Sequence, residues 1–247
     1  MTAIVRWCAL TAICLSVPSA GAAQSADEVV ARHVAARGGL DKLKAVQTVK
    51  ITRTAATAFS DIKVVIFKKR PQLFRVEQQS TAPGAAPAAR GVNPDAAWDP
   101  GPGGKVVLRP AQLAAETRDL DADFDGFLVD WKEKGHTVTL AGKETVAGRP
   151  AYKLAVTLKS GLARTVYLDA QTYLDLRHTG VLNLPGGRQF DVTIDFGNWR
   201  EVDGVKFPFD VTEERTGKEP VQSFVSYTEK IELNVPMDDA LFATPKG

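Results

Sequence analysis

Lys69-Arg70-Pro71-Gln72-Leu73-Phe74-Arg75 interrupts a strand-like apolar run that extends from Ile62 to Val76. Proline has no N–H to give to a sheet ladder and is tolerated mainly at strand edges, strand starts and bulges. The basic pair followed by Pro71 therefore marks a turn between two strands, not the centre of one. Past the turn, Phe74 and Val76 alternate with Arg75 and Glu77, as in a strand with one buried face. Ile62–Phe67 and Leu73–Val76 are thus predicted to be adjacent strands, with a further strand at Val49–Ile51 upstream.

The same period of two recurs through the second half of the chain. Val138 and Leu140 alternate with threonines. Tyr152, Leu154, Val156 and Leu158 alternate with Lys153, Ala155, Thr157 and Lys159. Val166 and Leu168 follow, then Phe190, Val192, Ile194 and Phe196, then Phe207, Phe209 and Val211, and last Val225–Tyr227 and Ile231–Val235. Gly148-Arg149-Pro150, Ser160-Gly161 and Asp203-Gly204 supply the turns. Strict alternation means one buried and one wet face, and short connections mean antiparallel neighbours. Residues 82–104, rich in Pro, Gly and Ala around Trp98, are predicted as a long loop or irregular edge with weak strand signals near Gly91 to Trp98.

Two segments carry helical periodicity instead. Ser25 and Glu28 form a capping-box pattern before an apolar stripe of Val29, Val30, Val34 and Ala35, which Gly38-Gly39 ends. Leu40, Leu43 and Val46 suggest one more helical turn. Leu108 to Lys134 is the second helical region. Within it Leu120, Phe124, Phe127, Leu128 and Trp131 fall at offsets of 4, 7, 8 and 11 from the first, one face of an α-helix. Asp121, Asp125, Lys132 and Glu133 would then form its solvent face. The chain is expected to be mainly β, one large antiparallel sheet covered on one face by an N-terminal and a mid-chain helix.

Residues 1–23 have the three parts of an export signal: Arg6, an apolar stretch from Trp7 to Val17, and small residues with cleavage expected after Ala22 or Ala23. Cys8 and Cys14, the two cysteines, both lie in it, so residues 24–247 form a single expected domain without disulfides or thiolate ligands. Of 31 Lys and Arg against 29 Asp and Glu, one cation is Arg6; subtracting it from the formal +2 leaves +1. That balance gives no footprint for nucleic acid.

No motif for chemistry stands out. Asp121-Ala122-Asp123-Phe124-Asp125-Gly126 copies the first half of an EF-hand loop, but Lys132 occupies the position of the bidentate glutamate. His33, His136 and His178 are far apart in sequence and read as surface or strand-end residues. Carboxylates are scattered, with no acid/base pair, no nucleophile elbow and no phosphate-binding loop. An enzyme is not expected, and neither is a metal or other cofactor.

Several segments, taken in order, resemble the periplasmic lipoprotein-carrier family (LolA/LolB-like). They are the opening helix Asp27 to Gly38 with Leu43 and the strand near Val49; Arg70-Pro71-x-Leu73-Phe74-Arg75; Trp98-Asp99-Pro100; Asp123-Phe124-Asp125-Gly126 through Lys134-Gly135-His136; and Asp239 to Gly247. The resemblance implies a sheet curved into an incomplete barrel, its concave apolar face closed by helices and able to hold acyl chains. It implies a monomeric periplasmic carrier or binding protein for lipid-like molecules or lipoprotein acyl groups, working with an envelope membrane protein or lipoprotein receptor. The expected apolar cavity is lined by Val30, Val34, Leu43, Phe74, Leu120, Phe124, Phe127, Leu128 and Trp131. The alternative is an envelope scaffold whose core is filled and holds no cargo.

Overall fold

The computed structural model describes residues 24–245; the export segment predicted over residues 1–23 lies outside the described residues. Helix α1, Ala26–Ala36, starts on the predicted capping box: the Ser25 hydroxyl accepts from the Glu28 N–H, and the Glu28 carboxylate accepts from the Ser25 N–H. It ends at Gly38 and Gly39, whose N–H groups close on Ala35 and Val34. Gly38 has φ 124°, and a Cβ there would lie 2.2 Å from the Gly204 carbonyl oxygen. Glycine is what lets this helix end press onto the sheet. Helix α2, Leu40–Ala45, follows at once.

Among the described residues thirteen strands form one antiparallel sheet. They are β1 Thr48–Ala56, β2 Asp61–Lys69, β3 Leu73–Ser80, β4 Ala88–Val92, β5 Ala97–Pro100, β6 Val106–Leu108, β7 Thr137–Val146, β8 Arg149–Thr157, β9 Ala163–Asp169, β10 Asp175–Leu184, β11 Arg188–Val202, β12 Val205–Thr216 and β13 Gln222–Leu233. Pro71 lies in the β2–β3 turn, as its missing donor requires. The Pro/Gly/Ala-rich stretch holds β4 and β5. Spatial order runs from β6 down to β1, then β13 down to β7, so β6 and β7 are the two edges and the sheet does not close. Two meanders, β1–β6 and β7–β13, are joined side by side where the first strand pairs with the last.

Because β6 ends at one edge and β7 begins at the other, residues 109–136 must cross a face of the sheet. The mid-chain helix is shorter than the periodicity predicts. Helix α3 is Ala111–Thr117, followed by a π-helical turn, Arg118–Ala122. Residues 123–135 are turns, not the helix expected through Trp131. Asp123 is extended, Gly126 has φ 87° and Asp130 φ 50°, conformations that end a right-handed helix. The acidic residues expected on a solvent face explain why. Asp123 and Asp125 are buried, and each is drawn to a cation, Lys134 and Arg70.

Candidate ligand-binding concavity

Strand parity identifies the covered face. Ala55, Val64, Phe74, Val76, Val92 and Ala97 pack beneath Ala114 and Ala122 of the crossing segment. Leu43 of α2 and Val46 just after it, with Val129, lie on Val49, Val205, Phe209 and Ile231. Val29 and Val30 of α1, with Phe127 and Leu128, lie on Val138, Tyr152, Leu154, Val156, Val166 and Leu168. Each cover buries its apolar side on a different stretch of the sheet. Burying such side chains fully is worth about 1.5–3 kcal/mol each.

The crossing segment is fastened by polar contacts as well. Arg70, in the β2–β3 turn, donates to the Val46 and Leu43 carbonyls (2.8 and 3.0 Å) and to the Asp125 carboxylate (2.6 Å). Its guanidinium lies 4.5 Å from the Phe124 ring centroid. Lys134 donates to both Asp123 oxygens and to the Gly126 carbonyl. Lys44 pairs with Asp130. One arginine thus ties α2, the sheet and the crossing turns together.

The nine predicted cavity residues divide among these clusters. Val30, Phe127 and Leu128 belong to the one over β7–β9, with Leu120 and Trp131 packed against it. Leu43 belongs to the cluster at the β1–β13 junction, with Phe124 against it. Val34 touches both, and Phe74 lies under α3. Two spaces lie beside them. A cavity of about 30 Å³ between α3 and β9–β10 is lined by Arg109, Glu116, Asp121 and Arg164 as well as leucines, room for about one water. A wider groove of about 580 Å³ is open between α1 and β7, against Glu28, Arg32, Lys143 and Tyr152.

Parity also places charge on the concave face, which the apolar-cavity expectation missed. Arg53 lies between Ile51 and Ala55 at their parity, and Lys68 follows Ile66 at its own. Arg90 pairs with Asp121 at 2.6 Å, Arg109 is bidentate to Asp99, and Arg215 pairs with Glu213 at 2.5 Å. Burial pushes Lys68 down, with Asp121 and Asp123 partly opposing it. For Asp121, burial favours the neutral acid, but Arg90 outweighs it and the carboxyl is lowered. Between these charges, Ile194, Val211 and Phe224 are half-buried on the same face and lie outside the buried clusters. The sheet centre therefore carries a mixed strip that no cover fills.

The histidines are not surface residues. His33 and His136 are buried. His33 of α1 and His178 of β10 converge on buried Asp175, correcting the expectation that no acid/base group forms. The Asp175 carboxylate lies 2.8 Å from His178 Nε2 and 3.8 Å from His33 Nδ1. His33 Nδ1 is 2.9 Å from the Tyr173 carbonyl, so that nitrogen carries the proton and donates. Burial holds His33 below the ordinary imidazole value, Asp175 opposing. Burial also opposes ionisation of Asp175, but His33, the hydrogen bond to His178 and Arg37 hold it well below the usual carboxylate range. His178 packs against Phe127 and Phe196 (centroids 5.3 and 4.6 Å). The cluster fastens α1 to the sheet under apolar cover. Asp175 and His178 are three residues apart, but the 140 residues between His33 and Tyr173 hid the cluster's α1 half.

No family model and no curated protein matches the sequence. Solved structures do match. A LolA superfamily protein from Nitrosomonas europaea is 15% identical, with a TM-score of 0.57 over 90% of this chain and 99% of its own. A putative outer membrane lipoprotein-sorting protein domain from Vibrio parahaemolyticus is 11% identical, with a TM-score of 0.52 over 87% and 94%. The open antiparallel sheet with its covering helices and crossing segment is the fold of LolA superfamily proteins.

Proposed function

We propose that this chain is an exported, non-catalytic carrier or binding protein for lipid-like molecules or lipoprotein acyl groups, and that residues 24–247 work as one domain in the periplasm. The observation that carries this reading is the half-buried strip of Ile194, Val211 and Phe224, apolar side chains that lie outside the clusters under the covers, with the Arg215 guanidinium over the Phe224 ring. Apolar side chains gathered on one face outside the buried clusters are where a binding surface would lie. The covers are short segments of chain laid on the sheet and joined to it at a few charged points such as Arg70 and Asp175, which suits a protein that must take up and release cargo. The shared fold supports a lipid-binding role in general, and among the described residues no helix is long and apolar enough to cross a membrane. Val30, Val34, Leu43, Phe74, Leu120, Phe124, Phe127, Leu128 and Trp131 are then the cover and floor residues that part to admit cargo. Donor or acceptor partners would be envelope membrane proteins or lipoprotein receptors, met by a monomer.

The filled clusters favour a second reading, a scaffold without cargo, because all nine residues already pack on one another and on the sheet. Lipid mass spectrometry on protein purified from its native envelope separates the two. Stoichiometric lipid, and saturable binding of a fluorescent fatty acid by the purified protein, are expected. Absence of both supports the scaffold.

A further inference from the structure

The concave strip holds a cation that the fold itself does not use. Arg53 points to the covered side, at the parity of Ile51 and Ala55. Among the described residues it makes no ion pair and no hydrogen bond, and its Nε is shut off from solvent without a partner. Thr228 stands directly opposite on β13, brought there by the register shift next to Arg53, and its hydroxyl is also buried without a partner. Glu213, whose field reaches Arg53, is taken by Arg215. Asp121 is taken by Arg90, and Lys68 has only the Asp123 carbonyl, at 3.1 Å. Around this point, among the described residues, Arg53 and Lys68 have no carboxylate of their own: Asp121 is held by Arg90, Glu213 by Arg215 and Asp123 by Lys134. An unpaired guanidinium and an orphaned hydroxyl facing each other in a shielded place cost stability. A shielded polar group left unsatisfied in a native fold calls for an explanation, and a ligand that supplies the missing partner is one.

That partner must be an anion with an apolar body. The guanidinium fork matches a carboxylate or a phosphate, Thr228 Oγ1 can donate a further bond, and Val211, Ile194 and Phe224 lie beyond them on the same face, around the Arg215–Glu213 pair whose guanidinium covers the Phe224 ring. We propose that the concavity binds an amphiphile with an anionic head group, carboxylate or phosphate, held by Arg53 and Thr228 with its apolar part along Phe224, Val211 and Ile194. The proposal rests on the lipid-binding function above and names the class of lipid.

A matched pair of probes tests it: oleate and oleyl alcohol, of equal chain length, titrated into the wild-type protein and into Arg53→Gln. The wild type is expected to bind oleate about tenfold or more tighter than the alcohol, the scale of a charged hydrogen bond. Arg53→Gln is expected to lose that preference while its alcohol affinity stays put. Equal affinity of the wild type for both probes overturns the head-group proposal and leaves the lipid-binding function standing. Binding of neither overturns both. Displacement of oleate by millimolar acetate alone would make the site one for small anions and overturn the amphiphile. Thermal unfolding supplies the second measurement. Arg53→Met is expected to keep or raise Tm, because it removes an unpaired, half-buried charge; a fall of several degrees would make Arg53 a structural residue and overturn the proposal.

Discussion

Asp175 shows how one side chain ties sequence-distant elements together. It receives His178 from its own strand and faces His33 and Arg37 from α1 and the turn after it. Burial lowers the His33 pKa in the folded protein, so as pH falls below about 6.5 the unfolded chain takes up a proton before the folded one does. The stabilisation is complete above that pH and is lost as pH drops toward the lower folded value. Asp175 adds a second loss at more acidic pH, below about 3.9, because its folded pKa is depressed. Urea melts at a series of pH values between 7.5 and 5 are expected to show declining stability for the wild type. A flatter profile over the same window is expected for His33→Asn, which keeps a donor for the Tyr173 carbonyl. Identical slopes in the two proteins would mean that His33 is not the titrating group.

At the scale of elements, the crossing segment 109–136 is where local preference and tertiary demand disagree. Its apolar spacing suits a helix, yet from Asp123 onward it forms turns whose carboxylates are satisfied by Arg70 and Lys134. Arg70 is the centre of that arrangement, since it caps two carbonyls around α2 and pairs with buried Asp125 at once. Arg70→Gln is expected to cost about 3 kcal/mol, the lower end for breaking a buried pair because the arginine reaches solvent. Adding Asp125→Asn should return part of that loss by removing the stranded charge. Hydrogen exchange should accelerate first at residues 123–135, while strands far from the turn stay protected. Uniform acceleration over the sheet would show that the cover and the sheet open together and not separately.

For the whole molecule, the seam between β1 and β13 decides whether the chain is one cooperative unit. Every other pairing joins strands consecutive in sequence; this one joins the first strand to the last. Ser226 lies in the seam opposite Ala55, on a strand paired on both sides, so proline there removes a ladder donor with no solvent to replace it. Ser226→Pro is expected to lower protection in β3 and β8 alike and to shift a single unfolding transition. Leu108→Pro, on the edge strand β6 with its N–H turned away from β5, since the flanking Arg109 N–H takes the Ala97 carbonyl, should cost under about 1 kcal/mol, within the range of mild surface changes. Two separate transitions in the Ser226 variant would divide the chain into two independently stable meanders.

Periodicity by itself determined most of the strands, because a period of two records one wet and one buried face wherever a strand lies. The Ser25 cap, the Gly38-Gly39 stop and the Pro71 turn were legible for the same reason: each is a local stereochemical requirement, met by residues within four positions of one another. The inward parity of Arg53 was not read, because the strand predicted at Val49–Ile51 stops short of it, whereas the observed strand runs on to Ala56. What only the tertiary structure decided are the relations that cross the chain. These are the fate of Phe124–Trp131 as turns, the pairing of Asp125 with Arg70, the gathering of His33 and His178 on Asp175, and the meeting of Arg53 with Thr228 across the seam. Each depends on the register and stacking of segments tens to hundreds of residues apart. Electrostatic pairing and desolvation act through space, and no local pattern in the chain records them.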